Sequence, residues 1–298
     1  MTWKTTGYGF TLLAIFIFAV QDGISKHLGG IYPPVFVAMI RYWAFAAFAI
    51  LLAVRSRAGL KAAIQTKQPW LQILRGVLLV SQIVLVITSF KLVGLAHSQT
   101  ILSSTPLFVA MLSMPLLGER VGWRRWTAIC VGLAGVLLIV SPSSGGFEIG
   151  VLLPLFGALM FAVYVIATRL ASRTDTAITS FLYIGVVGAL AVSLIGPFFW
   201  TALAPVDWIW MLLLCVTGMS SHYFLIRAYD LLDASAVQPL TYLQIVLALA
   251  VGALVFDETI SLNMIAGSII VVGAGIFTIW RESVVSRRRE AVSETTDP

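Results

Sequence analysis

The residues that could do chemistry in this chain are polar side chains set inside long apolar runs. Phe18, Gln21, Asp22 and Ser25 stand at i, i+3, i+4 and i+7, which places them on one stripe of a helix. Phe161, Tyr164 and Thr168 keep the same spacing later in the chain. The stretch SFKLVGLAHSQTI at 89–101 is echoed by AYDLLDASAVQPL at 228–240, so that Gln99 and Ser103 on one run correspond to a group of Gln238, Thr241 and Tyr242 on another. Gln82 and Tyr223 add polar groups to two further runs. Amides and hydroxyls hydrogen-bond, and aromatic rings stack. Polar groups facing lipid are expensive, so these should turn inward and line a path for a compact organic molecule. The competing expectation for single Ser and Thr residues is a bond to their own helix or to a neighbour.

Two charges lie in the same depth range. At 1.5 Å per residue, Asp22 sits roughly 8 Å inside the end of its run and Arg41 roughly 12 Å inside the start of the next. An ion pair between adjacent antiparallel helices would lower the cost of both, and this structural role is the leading expectation. The alternative is that Arg41 holds an anionic substrate group while Asp22 takes a coupling proton. Neither charge recurs in the second half, where Val165 and Ile184 stand near the equivalent positions. His222 is expected to pack, and His97 and His27 to lie near one surface. Glu119 and Glu258 are expected to cap the helices that follow them. Cys130 and Cys215 lie in apolar runs and read as buried free thiols. Nothing has metal-ligand spacing, no nucleophile and base are paired, and no cofactor is implied.

The elements that must carry these residues follow from composition. Of the 298 residues 59% are hydrophobic and 11% charged, with a mean hydropathy of +0.98. No single aqueous core absorbs so much apolar surface, so the lipid bilayer is the solvent. Ten spans are expected, near 7–27, 33–54, 71–91, 95–117, 123–141, 149–169, 177–200, 207–229, 235–256 and 262–281. Polar QDG follows the first run without a cleavage site, so that run reads as a retained span. The short connections leave no room for a nucleotide-binding domain, and GxxxxGK[ST] is absent. With the N-terminus inside, the Lys and Arg residues fall on the cytoplasmic side, apart from Lys26 and Lys91 outside and Arg41 within a span. Both termini are therefore expected in the cytoplasm. The net charge of +6 reports topology and needs no nucleic acid.

A shift of 139 residues brings Ser81 onto Ser220, Gln99 onto Gln238 and Glu119 onto Glu258, while a shift of 143 brings Gly7 onto Gly150 and Lys26 onto Arg169. The chain reads as an all-α polytopic membrane protein of ten transmembrane helices in two five-span repeats, 1–146 and 147–281, with a polar tail at 282–298. Five is odd, so the repeats enter the membrane from opposite sides. Each half closes with a span, an acidic turn and a Gly-rich span, GERVGWRRWTAICVGLAGVLLIV and DETISLNMIAGSIIVVGAGIFTIW. In these features the whole of 7–281 resembles the EamA branch of the drug/metabolite transporter superfamily. The halves differ: Pro106 of the first is replaced by Ile245 in the second. The glycines suit close helix packing or a homodimer face, so monomer and homodimer both stay open. The resemblance implies a secondary transporter of the bacterial inner membrane that works by alternating access. Its substrate would be a small molecule, either a flavin-like vitamin such as riboflavin taken up, or an amino acid or related metabolite released. A receptor or assembly factor would have no evident use for two inverted halves with a polar midplane.

Overall fold

The computed structural model describes residues 3–57, 59–117, 123–140, 149–232, 237 and 240–296, and among these the regular structure is helical. The helices are α1 (Trp3–Ile31), α2 (Pro34–Arg55), α3 (Gly59–Ile64), α4 (Pro69–Leu92), α5 (Leu95–Leu102), α6 (Thr105–Leu117), α7 (Trp123–Val140), α8 (Leu152–Ala171), α9 (Ala177–Ser193), α10 (Asp207–Leu231), α11 (Leu243–Val255) and α12 (Leu262–Thr296). Prolines open α2 and α4, where a missing N–H costs nothing, and the Thr176 side chain accepts the Thr179 N–H to start α9. Among the described residues five helices are long and apolar enough to cross a bilayer alone, and four shorter apolar ones accompany them. The chain is a multi-pass integral membrane protein.

Several expected boundaries move. The fourth span is divided, because α5 stops at Leu102 and α6 starts at Thr105. The ninth is interrupted at Tyr242, ahead of α11. The connection near 55–70 contains α3, and the expected polar tail continues α12 as helix to Thr296.

Helix pairing shows how the halves interlock. α1 packs along α10, and α8 packs along α4, while α2 lies against α9, α5 against α11 and α7 against α12. Exchanging one half for the other maps this set of pairs onto itself. The direction is inverted as well. α1 ends beside Asp207, whose Oδ2 accepts the Tyr32 hydroxyl at 2.6 Å. α8 starts at the same face, since a Cβ on Gly150 would lie 3.0 Å from Val93 Cγ1, and ends at the other face beside Thr66. Gly132 and Gly135 of α7 and Gly267 of α12 serve this packing: a Cβ on Gly135 would lie 2.8 Å from Ile270 Cγ2, and one on Gly267 would run into Ile139 Cγ1, while one on Gly273 would meet no described residue within 4 Å.

On the face where α1 begins, Asp175 clasps the loop before α4. Its carboxylate accepts from Thr66 Oγ1, from the Lys67 N–H at 3.1 Å and from Gln72 Nε2 at 2.8 Å. Burial pushes the Asp175 carboxyl up, but the bonds from Gln72, Thr66, Lys67 and Thr174 outweigh it and hold it below the ordinary carboxylate range. A lowered folded pKa means stability that is complete above the unfolded value of about 3.9 and is lost as pH falls through the folded value. Hydrogen–deuterium exchange across 64–68 and 172–176, corrected for intrinsic rates, should stay flat from neutral pH to about 5 and rise at lower pH. Asp175→Asn should show the raised exchange throughout.

Candidate functional site

The stripe on α1 faces the helices of both halves. Gln21, Asp22 and Ser25 are buried, and Phe18 is half-buried with its ring 5.2 Å from that of His222 on α10. Asp22 lies nine residues before the end of α1, about 14 Å in, near the middle of a bilayer core about 30 Å thick. Its Oδ2 accepts Gln99 Nε2 of α5 at 2.5 Å and Gln244 Nε2 of α11 at 2.8 Å, while Oδ1 takes no hydrogen bond among the described residues. α5 and α11 exchange into one another under the repeat, and both meet a break near this depth, at Ser103–Ser104 and at Tyr242. Interrupted helices at the midplane let side chains and freed backbone converge where a continuous helix would not.

Beside this knot, α2, α4 and α10 line a narrow cleft of about 20 Å³, room for roughly one water, so a larger guest enters only as these helices part. Arg41 and Tyr42, Phe45, Leu79, Ile83, Cys215 and His222 are among its lining residues. Arg41 is the eighth residue of α2, roughly 11 Å from its start. Among the described residues the ion pairs are Lys26 with Glu258 and His27 with Asp207, so the expected Asp22–Arg41 pair is not made. The two glutamines satisfy Asp22 instead. Neither the Arg41 guanidinium nor the buried Tyr42 hydroxyl in the same lining makes a hydrogen bond to a described residue. Gly218 gives them room: a Cβ there would lie 3.3 Å from both Arg41 Nε and Gln21 Oε1. His222 Nδ1–H donates to the Gly218 carbonyl at 2.8 Å, and the ring lies 6.2 Å from that of Phe45. It packs, as expected, and also walls the cleft. Among the described residues no three His, Cys, Asp or Glu side chains gather to hold a metal.

A cleft and a buried carboxylate at the junction of two inverted halves fit a carrier, and one sequence comparison decides the family. The model of the EamA-like transporter family matches residues 5–141 and again 148–280. The chain belongs to the EamA-like transporter family. Relatives of this EamA-like chain include the S-adenosylmethionine uptake transporter of Rickettsia felis, 26% identical over 96% of this chain and 97% of the relative. The riboflavin transporter of Vibrio cholerae is 28% identical over 95% of each, and the pseudopaline exporter of Pseudomonas aeruginosa is 26% identical over 91% and 95%. A solved crystal structure at 19% identity matches with a TM-score of 0.63 over 96% of this chain and 99% of its own, which shows the fold.

The other expected lining residues of this EamA-like transporter divide. Thr168 does not face open space: its hydroxyl accepts Arg75 Nε at 3.0 Å and donates to the Tyr164 carbonyl at 2.7 Å. Phe161 and Tyr164 stack at 5.5 Å, and Tyr164 lies 5.7 Å from the Arg75 guanidinium. The second stripe therefore packs α8 onto α4 around Arg75, which is 1% exposed and was counted from sequence among the cations of the cytoplasmic side. Ser103 donates to the Thr100 carbonyl at 2.5 Å, the local bond that is the usual fate of such a hydroxyl. Tyr223 is 47% exposed and edge-on to Phe224, outside the cleft lining, which corrects its expected place. Gln82 is half-buried, and α4 turns Leu79 and Ile83 to the cleft instead. Tyr242 is buried with an unpartnered hydroxyl and packs against Gly275 of α12, while Thr241 is half-buried beside it. Gln238 and Glu119 lie outside the described residues. Cys130 is exposed rather than buried, and Cys215 is buried.

Gln244, Tyr42 and Phe45 were not singled out from sequence. The signal for Gln244 was present, a lone amide in a strongly apolar run, but the repeat register drew attention to Gln238 six residues earlier.

Proposed function

We propose that this chain is a secondary transporter that takes up a small organic metabolite bearing both a carboxylate and a cationic group, of the S-adenosylmethionine type. Arg41 carries the reading: a guanidinium in a mid-membrane cleft, without a hydrogen bond or ion pair among the described residues, invites an anionic group of the substrate. Its neighbour Tyr42 offers an unused hydroxyl. Asp22, with Oδ1 unengaged, faces the substrate's cation, and Phe45 and His222 offer ring faces to a flat base. Amino-acid exporters would also use Arg41, but the cleft's aromatic walls favour a substrate with a planar part. Riboflavin has that planar part and no carboxylate, so it leaves Arg41 unpaired.

The two halves rock about this site and expose it to each face in turn. The distribution of Lys and Arg supports a bacterial inner membrane with both termini in the cytoplasm. Pathway-lining roles go to Phe18, Gln21, Asp22, Ser25, Arg41, Gln99 and Gln244. No bond of the substrate is broken, and no cofactor takes part.

Equilibrium binding to the purified protein in detergent tests this, with S-adenosylmethionine, S-adenosylhomocysteine, methionine and riboflavin as ligands. S-adenosylmethionine should bind tightest, and S-adenosylhomocysteine, which lacks the sulfonium charge, more weakly. Tight riboflavin binding without S-adenosylmethionine binding would refute the charged-substrate reading.

A further inference from the structure

One charged cluster lies outside the cleft, toward the face where α1 ends. Lys26 of α1 is ion-paired with Glu258, with side chains 15% and 14% exposed, and its ammonium stands 4.2 Å from the centroid of the Phe256 ring. Glu258 was expected to cap the helix that follows it. Instead its Oε1 and Oε2 accept the Leu95 and Ala96 N–H groups, at 2.7 and 2.8 Å, and so cap α5 in the other half. Gly94 makes the approach possible, since its φ is +91° and a Cβ there would lie 2.9 Å from the Glu258 carboxylate. The turn that delivers Glu258 contains Asp257 at φ 52°, an uncommon conformation for a residue with a side chain.

Spacing ties this cluster to the site. Lys26 follows Asp22 by one turn of α1, and Leu95 and Ala96 precede Gln99 by one turn of α5. The result is a ladder of two rungs. The inner rung joins α1, α5 and α11 through Asp22, Gln99 and Gln244, and the outer rung joins the same α1 and α5 to the turn after α11 through Lys26, Glu258 and the two N–H groups. A path from Asp22 to that face cannot widen between α1, α5 and α11 while the outer rung holds.

We infer that Lys26 and Glu258 form the closure of the transport path on the face opposite the termini, and that the same contact positions Gln99 on Asp22. This rests on the alternating-access reading above. The pair is sheltered enough for its attraction to count and close enough to the surface for both charges to recover water when it opens. Opening exchanges the ion pair and two charge-assisted hydrogen bonds for hydration, so the closure is reversible.

The test uses the full-length protein with Cys130→Ser and Cys215→Ala, and a reporter thiol from Ser25→Cys, between the two rungs. Labelling by a membrane-impermeant maleimide is followed from each side of the membrane, in intact cells and in inverted vesicles. Lys26→Met and Glu258→Gln should each speed labelling from the face opposite the termini on the order of tenfold, while Lys26→Arg, which keeps the pair, should label at the parent rate. Glu258→Gln still accepts an N–H and so separates the loss of the ion pair from the loss of the cap. Parent-rate labelling in both Lys26→Met and Glu258→Gln, with each protein monodisperse, overturns the closure. S-adenosylmethionine binding is measured on the otherwise unsubstituted protein and on its Lys26→Met and Glu258→Gln variants, without the reporter and cysteine changes: absent binding in all three would refute the substrate reading and leave the labelling result standing.

Discussion

Arg41→Met is expected to lose S-adenosylmethionine binding by roughly 30- to 150-fold, about 2–3 kcal/mol for a charge-assisted contact in a desolvated site, while the folded protein melts at the same temperature or higher. The second half of that expectation is the sharper one. The half-buried Arg41 guanidinium makes no hydrogen bond or close ion pair among the described residues, so its desolvation is only partly offset, and a methionine of similar length fills the space without desolvating a charge. Binding and stability should therefore move in opposite directions. Arg41→Lys should recover part of the binding, since it restores charge without the planar fork. A strongly destabilised Arg41→Met would mean that the side chain has a structural partner, and unchanged binding would remove Arg41 from the site.

The Asp22 knot should respond as a unit. Gln99→Ala and Gln244→Ala each remove a donor from a buried carboxylate oxygen, at an expected cost of about 1–3 kcal/mol apiece. With both donors gone the charge stands almost bare at the midplane. Asp22→Asn in that background should then regain stability, although the same change in the parent removes the charge that meets the substrate's cation and weakens binding. Chemical denaturation of the parent, the double variant and the triple variant gives the coupling directly. Additive losses across that set would show that the three side chains do not share one site.

The sequence shows the helices and hides how they interlock. The α1 stripe was legible because helical spacing places Phe18, Gln21, Asp22 and Ser25 on one side whatever they touch. Gln99 was legible for its rarity in an apolar run. The breaks at Ser103 and Tyr242 were not, because Ser and Thr are as common in continuous membrane helices as at interruptions. Glu258 reads locally as a cap for the next helix, and its partners are 163 and 162 residues away. Tyr223 and His222 are adjacent, yet one is exposed and the other walls the cleft, since one residue turns a helix by about 100°. Cys130 misled for a different reason: in lipid, an outward face is as apolar as an inward one. Arg75 carries the charge of a loop residue and the position of a core residue, and only its bonds to Gln72 and Thr168 separate the two.

The ladder on α1 also sets a schedule for making the protein. Asp22 is synthesised 77 residues before Gln99 and 222 residues before Gln244. At about 5–20 residues per second, the second amide arrives roughly 10–45 seconds after the carboxylate. Until then a polar stripe of the first helix lies in the bilayer without α10 or α11 to cover it. The nascent first half is thus an unfinished surface, and the ribosome's pace over the second half decides how long that exposure lasts.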